Sequence, residues 1–226
     1  MDVRCYLRSC GSLLCFFCLT VTGVHGQELL VSEDRPLSET SRLTDRYYCG
    51  EKALQLMVGP YFSPVGVGPH PHIDFDFLPI QARLGCMLYD PIQIIGSIHA
   101  NGEVLLDVTA APVLKGPGNY VVGPSLLLRG NFLCPGCPLV PYLQAGGGIV
   151  FNDVYHDPVQ HLIGRVNEFY LTGVAGLHYQ LSPSWSFDVE GGYGHISNAD
   201  TARRNAGVNG FGGTVGLTYT FGHCRK

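Results

Sequence analysis

Eight segments of this 226-residue chain alternate between apolar and polar or small side chains. Successive side chains of a β-strand point to opposite faces, so each segment predicts a strand with one apolar face. The segments are residues 54–59, 78–88, 103–110, 119–129, 142–151, 168–181, 185–197 and 214–221. A closed barrel leaves no unpaired sheet edge in lipid. The pattern therefore predicts an all-β fold, an eight-stranded antiparallel up-and-down transmembrane β-barrel.

A soluble exported barrel or sandwich, with its apolar faces turned inward, is the alternative fold. Two features favour the membrane barrel. Only 14% of the residues are charged. Aromatic side chains recur near the predicted strand ends, as in the interfacial girdles of membrane barrels. They are Tyr120, Phe132, Phe151, Phe169, Tyr179, Trp185, Tyr219 and Phe221.

The N-terminal residues resemble a secretory signal. Arg4 and Arg8 precede a short apolar run at residues 13–22, and residues 24–26 offer a cleavage site. We therefore expect a signal peptide at residues 1–26, a periplasmic lead-in or small plug at 27–50, and an outer-membrane barrel at 51–226. The formal net charge of −4 provides no basic footprint, so a nucleic-acid partner is not expected.

The seventh segment carries the residues of greatest chemical interest. Counted by twos, His195 and Ser197 share a face with Phe187, whereas Asp188 and Glu190 lie on the other. In an exported barrel with both termini in the periplasm, this strand runs outward. A base and a hydroxyl would then face lipid near the external end of the strand.

The surrounding sequence resembles the PagL family, the outer-membrane lipid A 3-O-deacylases. The similarity lies in His195-Ile196-Ser197-Asn198-Ala199, in the turn Asn205-Ala206-Gly207, and in a last strand that ends on Phe221. It is tight over about forty residues, and the strand count extends it loosely over most of the mature chain.

The resemblance implies a serine esterase that removes an ester-linked acyl chain from lipid A in the outer leaflet. His195 would be the general base, Ser197 the nucleophile, and the Asn198 side chain an oxyanion donor. No cofactor and no metal ion are implied, and the sequence leaves open whether the barrel forms a homodimer. The alternatives are a non-catalytic barrel on the same scaffold, in which His195 and Asn198 only cap the strand, and a soluble ligand-binding barrel.

One position departs from the family. Characterised members carry a glutamate fourteen residues after the histidine, where this chain has Asn209. An asparagine carbonyl can accept a hydrogen bond from imidazole, but it does not neutralise an imidazolium. Activity is then lower, or another acid such as Asp200 or Asp153 substitutes, or the site is inactive.

Five of the nine cysteines follow the predicted signal peptide. Cys134 and Cys137 flank Pro-Gly in a predicted turn, where a local disulfide is expected; a redox pair or half a zinc site are the alternatives. Cys49 precedes the first strand and Cys224 follows the last. Because these strands are neighbours in a closed barrel, we expect a Cys49–Cys224 disulfide across the seam.

Overall fold

The computed structural model describes residues 46–63 and 74–222, which form one closed antiparallel barrel. The strands are β1 (Lys52–Val58), β2 (Tyr61–Phe62), β3 (Asp76–Phe77), β4 (Ile80–Met87), β5 (Ile92–Ile95), β6 (Ile98–Lys115), β7 (Tyr120–Leu133), β8 (Leu139–Asn152), β9 (Asn167–Gln180), β10 (Trp185–Ser197) and β11 (Val208–Phe221). In these ranges no helix is long and apolar enough to cross a membrane. The predicted signal peptide lies outside the described residues.

The barrel closes between its first and last strands. β1 pairs with β4 on one side and with β11 on the other, and Leu56 lies opposite Leu217 in this seam. β2 continues the line of β1 along β11, and β3 continues that of β4 along β6. With β6 to β11 these composite strands make a ring of eight, as the alternation predicts.

One connection is more elaborate than the sequence suggested. The third strand was expected at residues 103–110, yet β6 begins at Ile98 and ends at Lys115. Its first residues pair with β5 on one side and β7 on the other, so the hairpin extends at the end of the barrel where β1 begins and β11 ends. The alternation of apolar and polar residues does not reveal this extension, because residues 99–102 are polar or small. They are in a strand because they pair with the neighbouring strands.

The outer surface of the barrel is apolar, and its interior is polar. Along β10, exposed Phe187 and Val189 alternate with buried Asp188 and Glu190, as predicted. Leu128 on β7 is 62% exposed. Exposure of a large apolar side chain is unfavourable in water but suits contact with lipid. Aromatic residues are exposed near both ends of the strands: Tyr120, Phe151, Phe169, Tyr179, Trp185 and Tyr219.

Charged residues fill the middle of the interior. The Arg83 guanidinium donates to both carboxylate oxygens of Glu190, at 2.5 and 3.1 Å, and to Asp107 at 3.0 Å. Arg129 pairs with Glu103 at 3.2 Å and lies 4.4 Å from the centroid of the Tyr142 ring. Each buried cation is thus paired and hydrogen-bonded, which offsets the cost of removing it from water.

An apolar cluster closes the end of the barrel opposite the start of β1 and the end of β11. Phe75, Val154 and Ile163 are fully buried there, and the last two come from the 153–166 connection, which contains a short 3₁₀ helix at Val154–His156. This connection also accepts backbone hydrogen bonds from Ala206 and Gly207 of the 198–207 loop. The two long loops therefore form one packed cap beside the end of β10.

Candidate functional site

The candidate site lies where β10 leaves the barrel wall and β11 returns to it. His195 on β10 is directly opposite Asn209 on β11. Between them, the 198–207 loop reverses the chain through Ala199 and Asp200, both with positive φ, and Gly207 with φ of 73°. This loop geometry brings residues fourteen positions apart into direct contact.

The side chains of His195 and Asn209 are in contact. The Nδ1 atom of His195 lies 2.8 Å from the Oδ1 atom of Asn209. A carbonyl oxygen only accepts, so this contact requires the imidazole to carry its proton on Nδ1 and leaves Nε2 as the basic nitrogen. The backbone oxygen of Asn209 accepts from the Ser63 hydroxyl at 2.8 Å, which ties the residue to the wall behind it.

Tyr193 joins this pair and was not among the predicted site residues. Its hydroxyl donates to the same Oδ1 atom of Asn209 at 2.5 Å. Its ring packs against Phe211, with centroids 4.9 Å apart. The signal was available in the sequence, because Tyr193 is two residues before His195 and therefore shares its outward face.

Ser197 lies on the same outward face, half-buried and opposite Phe169 of β9. A Cβ atom placed on Gly207 would lie 3.1 Å from His195 Cε1 and 3.7 Å from Ser197 Cβ, so both side chains border this glycine. Among the described residues, His195 bonds to Asn209 and not to the Ser197 hydroxyl. Contacts of this kind are commonly longer without substrate than with it.

Asn198 is placed differently from its predicted role. It is 1% exposed on the face opposite to Ser197, and its side-chain nitrogen donates to the Arg204 carbonyl at 2.8 Å and to Glu168 at 3.4 Å. Because its side chain points away from the Ser197 face, Asn198 does not serve as an oxyanion donor in this conformation. It holds the 198–207 loop instead, which parity along the strand should have suggested.

The acids considered as substitutes for the missing glutamate have other partners. Asp200 accepts from the Asn205 side chain at 2.7 Å. Asp153 binds the backbone and side chain of Asn119 at 2.7 Å each. Burial alone would raise the pKa of Asp153, but these bonds and one from the Tyr120 backbone hold it below its usual range. Asn209 therefore occupies the position beside His195 without help from either acid.

A small cavity of about 140 Å³ lies beside the candidate site. Phe169, the cross-strand neighbour of Ser197, lines it together with Arg165 and Glu168. Glu168 Oε1 accepts backbone hydrogen bonds from Gly164 and Arg165, which fastens the loop above β9. The cavity therefore lies between the lipid-facing wall and the polar loops above it.

The cysteines lie apart from this site. Cys134 and Cys137 occupy the predicted turn between β7 and β8, but both are thiols in this structure, so the predicted bridge between them is not formed. The hydrogen bond with Cys134 raises the pKa of the Cys137 thiol. Cys49 lies just before β1, and its backbone N–H donates to Asp90. Cys224 is outside the described residues, so the Cys49–Cys224 disulfide stays a prediction.

Comparison with known proteins identifies a family. The family model described as "Lipid A 3-O-deacylase (PagL)" matches residues 80–218, which is more than half of the chain. That range begins at β4 and contains His195, Ser197 and Asn209. A search of curated proteins gives no match.

Solved structures support the fold. Neisserial surface protein A is 16% identical, with a TM-score of 0.51, and the match covers 76% of this chain and 97% of that one. The outer membrane enzyme PagL is also 16% identical, with a TM-score of 0.48 over 73% of this chain and 97% of that one. The N-terminal β-barrel domain of OprF from Pseudomonas aeruginosa is 15% identical, with a TM-score of 0.46, covering 76% and 98%. At such identities the likeness to the surface protein supports the barrel fold alone.

Proposed function

The chain belongs to the lipid A 3-O-deacylase (PagL) family of outer-membrane barrels, and we propose that it is a serine esterase that removes an ester-linked acyl chain from lipid A. The observation that carries this proposal is the outward face of β10. His195 Nδ1 contacts the Asn209 carbonyl oxygen there, which favours Nε2 as the basic nitrogen, and His195 is two residues from a serine hydroxyl. A barrel gains no packing from a polar pair on its lipid-facing wall, so the pair calls for a chemical role.

The proposed chemistry follows from the geometry. Nε2 of His195 takes the proton of Ser197 as Oγ attacks the ester carbonyl, and it then returns that proton to the departing sugar oxygen. Water hydrolyses the acyl-serine by the same proton transfers in reverse. The Asn209 carbonyl keeps the imidazole oriented throughout. An oxyanion donor other than the Asn198 side chain is required, because that amide is engaged in the loop.

Location and export form part of the proposal. Cleavage of residues 1–26 would deliver the chain to the periplasm, and the chain ends described here, Arg46 and Gly222, lie at the same end of the barrel. With that end in the periplasm, the site lies in the outer leaflet, where lipid A resides. The apolar wall around Phe169 and Ile149 would then contact acyl chains, and Arg165 would lie at the level of the headgroups.

A non-catalytic barrel on the same scaffold is the competing function. Asn209 in place of an acid favours it, and so does the missing hydrogen bond between Ser197 and His195. Such a protein would keep the polar pair only as an inherited feature of the fold.

Mass spectrometry of lipid A incubated with the purified barrel separates these functions. We expect the wild type to release one ester-linked acyl chain, and Ser197→Ala and His195→Ala to lower the rate by at least about 10³-fold while the barrels still assemble. Ser186→Ala is the matched control, because Ser186 lies on the same strand with its side chain inside the barrel. Release by Ser197→Ala at the wild-type rate would refute the serine mechanism.

A further inference from the structure

Tyr193 makes a contact that membrane exposure alone does not explain. Its ring lies on the lipid-facing wall, stacked at a tilt against Phe211, as an interfacial aromatic residue would. Its hydroxyl, however, is directed to a neighbouring side chain. It donates to Asn209 Oδ1 at 2.5 Å, on the atom that also receives the imidazole proton of His195.

The orientation of the Asn209 amide decides which nitrogen of His195 is basic. With Oδ1 toward the ring, Nδ1 keeps its proton and Nε2 is free to accept one. With the amide rotated by half a turn, its NH₂ group would donate to Nδ1 and force the proton onto Nε2. The second tautomer does not accept a proton from Ser197. A carboxylate at this position would present an oxygen in either orientation, whereas an asparagine must be held.

The tyrosine hydroxyl favours one of the two orientations. A phenol proton on a lipid-facing wall needs an acceptor, and an amide nitrogen is not one. Rotating the amide would therefore leave the Tyr193 proton without a partner in a water-poor environment. The 2.5 Å separation lies at the short end of the range for an O–H···O bond, as expected for a hydroxyl donating to the amide oxygen.

We propose that Tyr193 is a positioning residue: its hydroxyl holds the Asn209 carboxamide with Oδ1 toward His195 and so keeps Nε2 of the imidazole as the general base. This inference rests on the proposed esterase function for its effect on rate, but its effect on the histidine tautomer stands without it. The Tyr193 hydroxyl thus fixes the orientation of an asparagine amide at this position. A glutamate carboxylate would not need such a contact, because it presents an oxygen to the imidazole in either orientation.

The test is Tyr193→Phe, which keeps the ring and its packing on Phe211. We expect kcat for lipid A to fall about tenfold with little change in KM, because one oriented hydrogen bond is lost and no substrate contact is. Nitrogen NMR of histidine-labelled protein in detergent should show His195 moving from the Nδ1–H to the Nε2–H tautomer. His195→Ala assigns that signal.

Two further variants distinguish positioning from packing. In an Asn209→Asp background, Tyr193→Phe should have little effect on kcat, because a carboxylate needs no orientation. Tyr179→Phe, on a lipid-facing tyrosine at the far end of β9, should leave kcat and tautomer unchanged. An unchanged tautomer in Tyr193→Phe, or an equal loss of kcat in both backgrounds, would overturn the inference. A tautomer shift in a barrel whose wild type deacylates nothing would support the inference and reject the proposed function.

Discussion

Two groups of polar residues on this barrel differ in their relation to folding. Inside, Arg83 and Glu190 belong to a network whose charges are paired and shielded from both water and lipid. On the outer wall, His195, Asn209 and Tyr193 are half-buried on a face where apolar residues would serve the fold better. The interior network follows from folding, since a buried charge is costly unless it is paired and hydrogen-bonded. The wall site does not follow from folding, which is why function is sought there.

The largest expected effect concerns the interior. Arg83→Ala would leave Asp107 and Glu190 buried without their shared cation, and we expect it to lower the free energy of unfolding by about 3–5 kcal/mol. Urea unfolding in detergent micelles measures this. The matched control is Arg203→Ala, on an exposed loop arginine, with a change within about 0.5 kcal/mol. Equal losses in the two variants would show that the interior network is not structural.

The next effect concerns the wall site. Asn209→Glu should raise the deacylation rate about tenfold, because a carboxylate stabilises the imidazolium that forms as Ser197 loses its proton. Mass spectrometry of lipid A over time gives the rate. The double variant Asn209→Glu with Ser197→Ala should lose the whole increase in deacylation rate. A correctly assembled Asn209→Glu barrel with an unchanged or lower rate would mean that this site does not lack a negative charge.

The sequence predicted the barrel well because alternation is a local property. The eight strands and the outward face of His195 follow from counting by twos, whereas the proximity of Asn209 to His195 was implied only by the resemblance to the PagL family. The β5 hairpin was missed because its first partners are polar or small. The position of Asn198 was predictable by parity, yet the family motif directed attention to its amide rather than to its face.

The sequence predicts the outward face of Tyr193, but the contact made by its hydroxyl lies beyond the sequence for a physical reason. An aromatic residue beside a membrane barrel's rim has an ordinary explanation in the interfacial girdle. Only the distances show that its hydroxyl turns along the wall to Asn209. Side-chain rotation of this kind leaves no periodic trace in a sequence.

A smaller effect is expected when a glycine at either end of the barrel is replaced by alanine. Gly207, at φ 73°, borders His195, whereas Gly136, at φ 79°, has open space where a Cβ would lie. Alanine at either position should cost about 1 kcal/mol of stability from backbone strain. Only Gly207→Ala should also slow deacylation, by a few-fold, because its methyl group would press on the imidazole at 3.1 Å. A similar loss of rate in Gly136→Ala would trace the effect to strain and not to contact with the site.

The smallest effect concerns the cap above the wall site, where Asp153 fastens the turn before β7. Hydrogen bonds from Asn119 and Tyr120 hold its pKa below the usual value, so the ionised form is favoured in the folded state. This contribution is present above about pH 4, the unfolded value, and is lost as the pH falls through the lower folded value. Because the contacts are exposed, we expect only a few tenths of a kcal/mol. The unfolding free energies of the wild type and Asp153→Asn, measured at pH 6 and again near pH 2.5, should differ more at the higher pH. A difference that stays constant across this range would show that the charge of Asp153 contributes nothing to the cap.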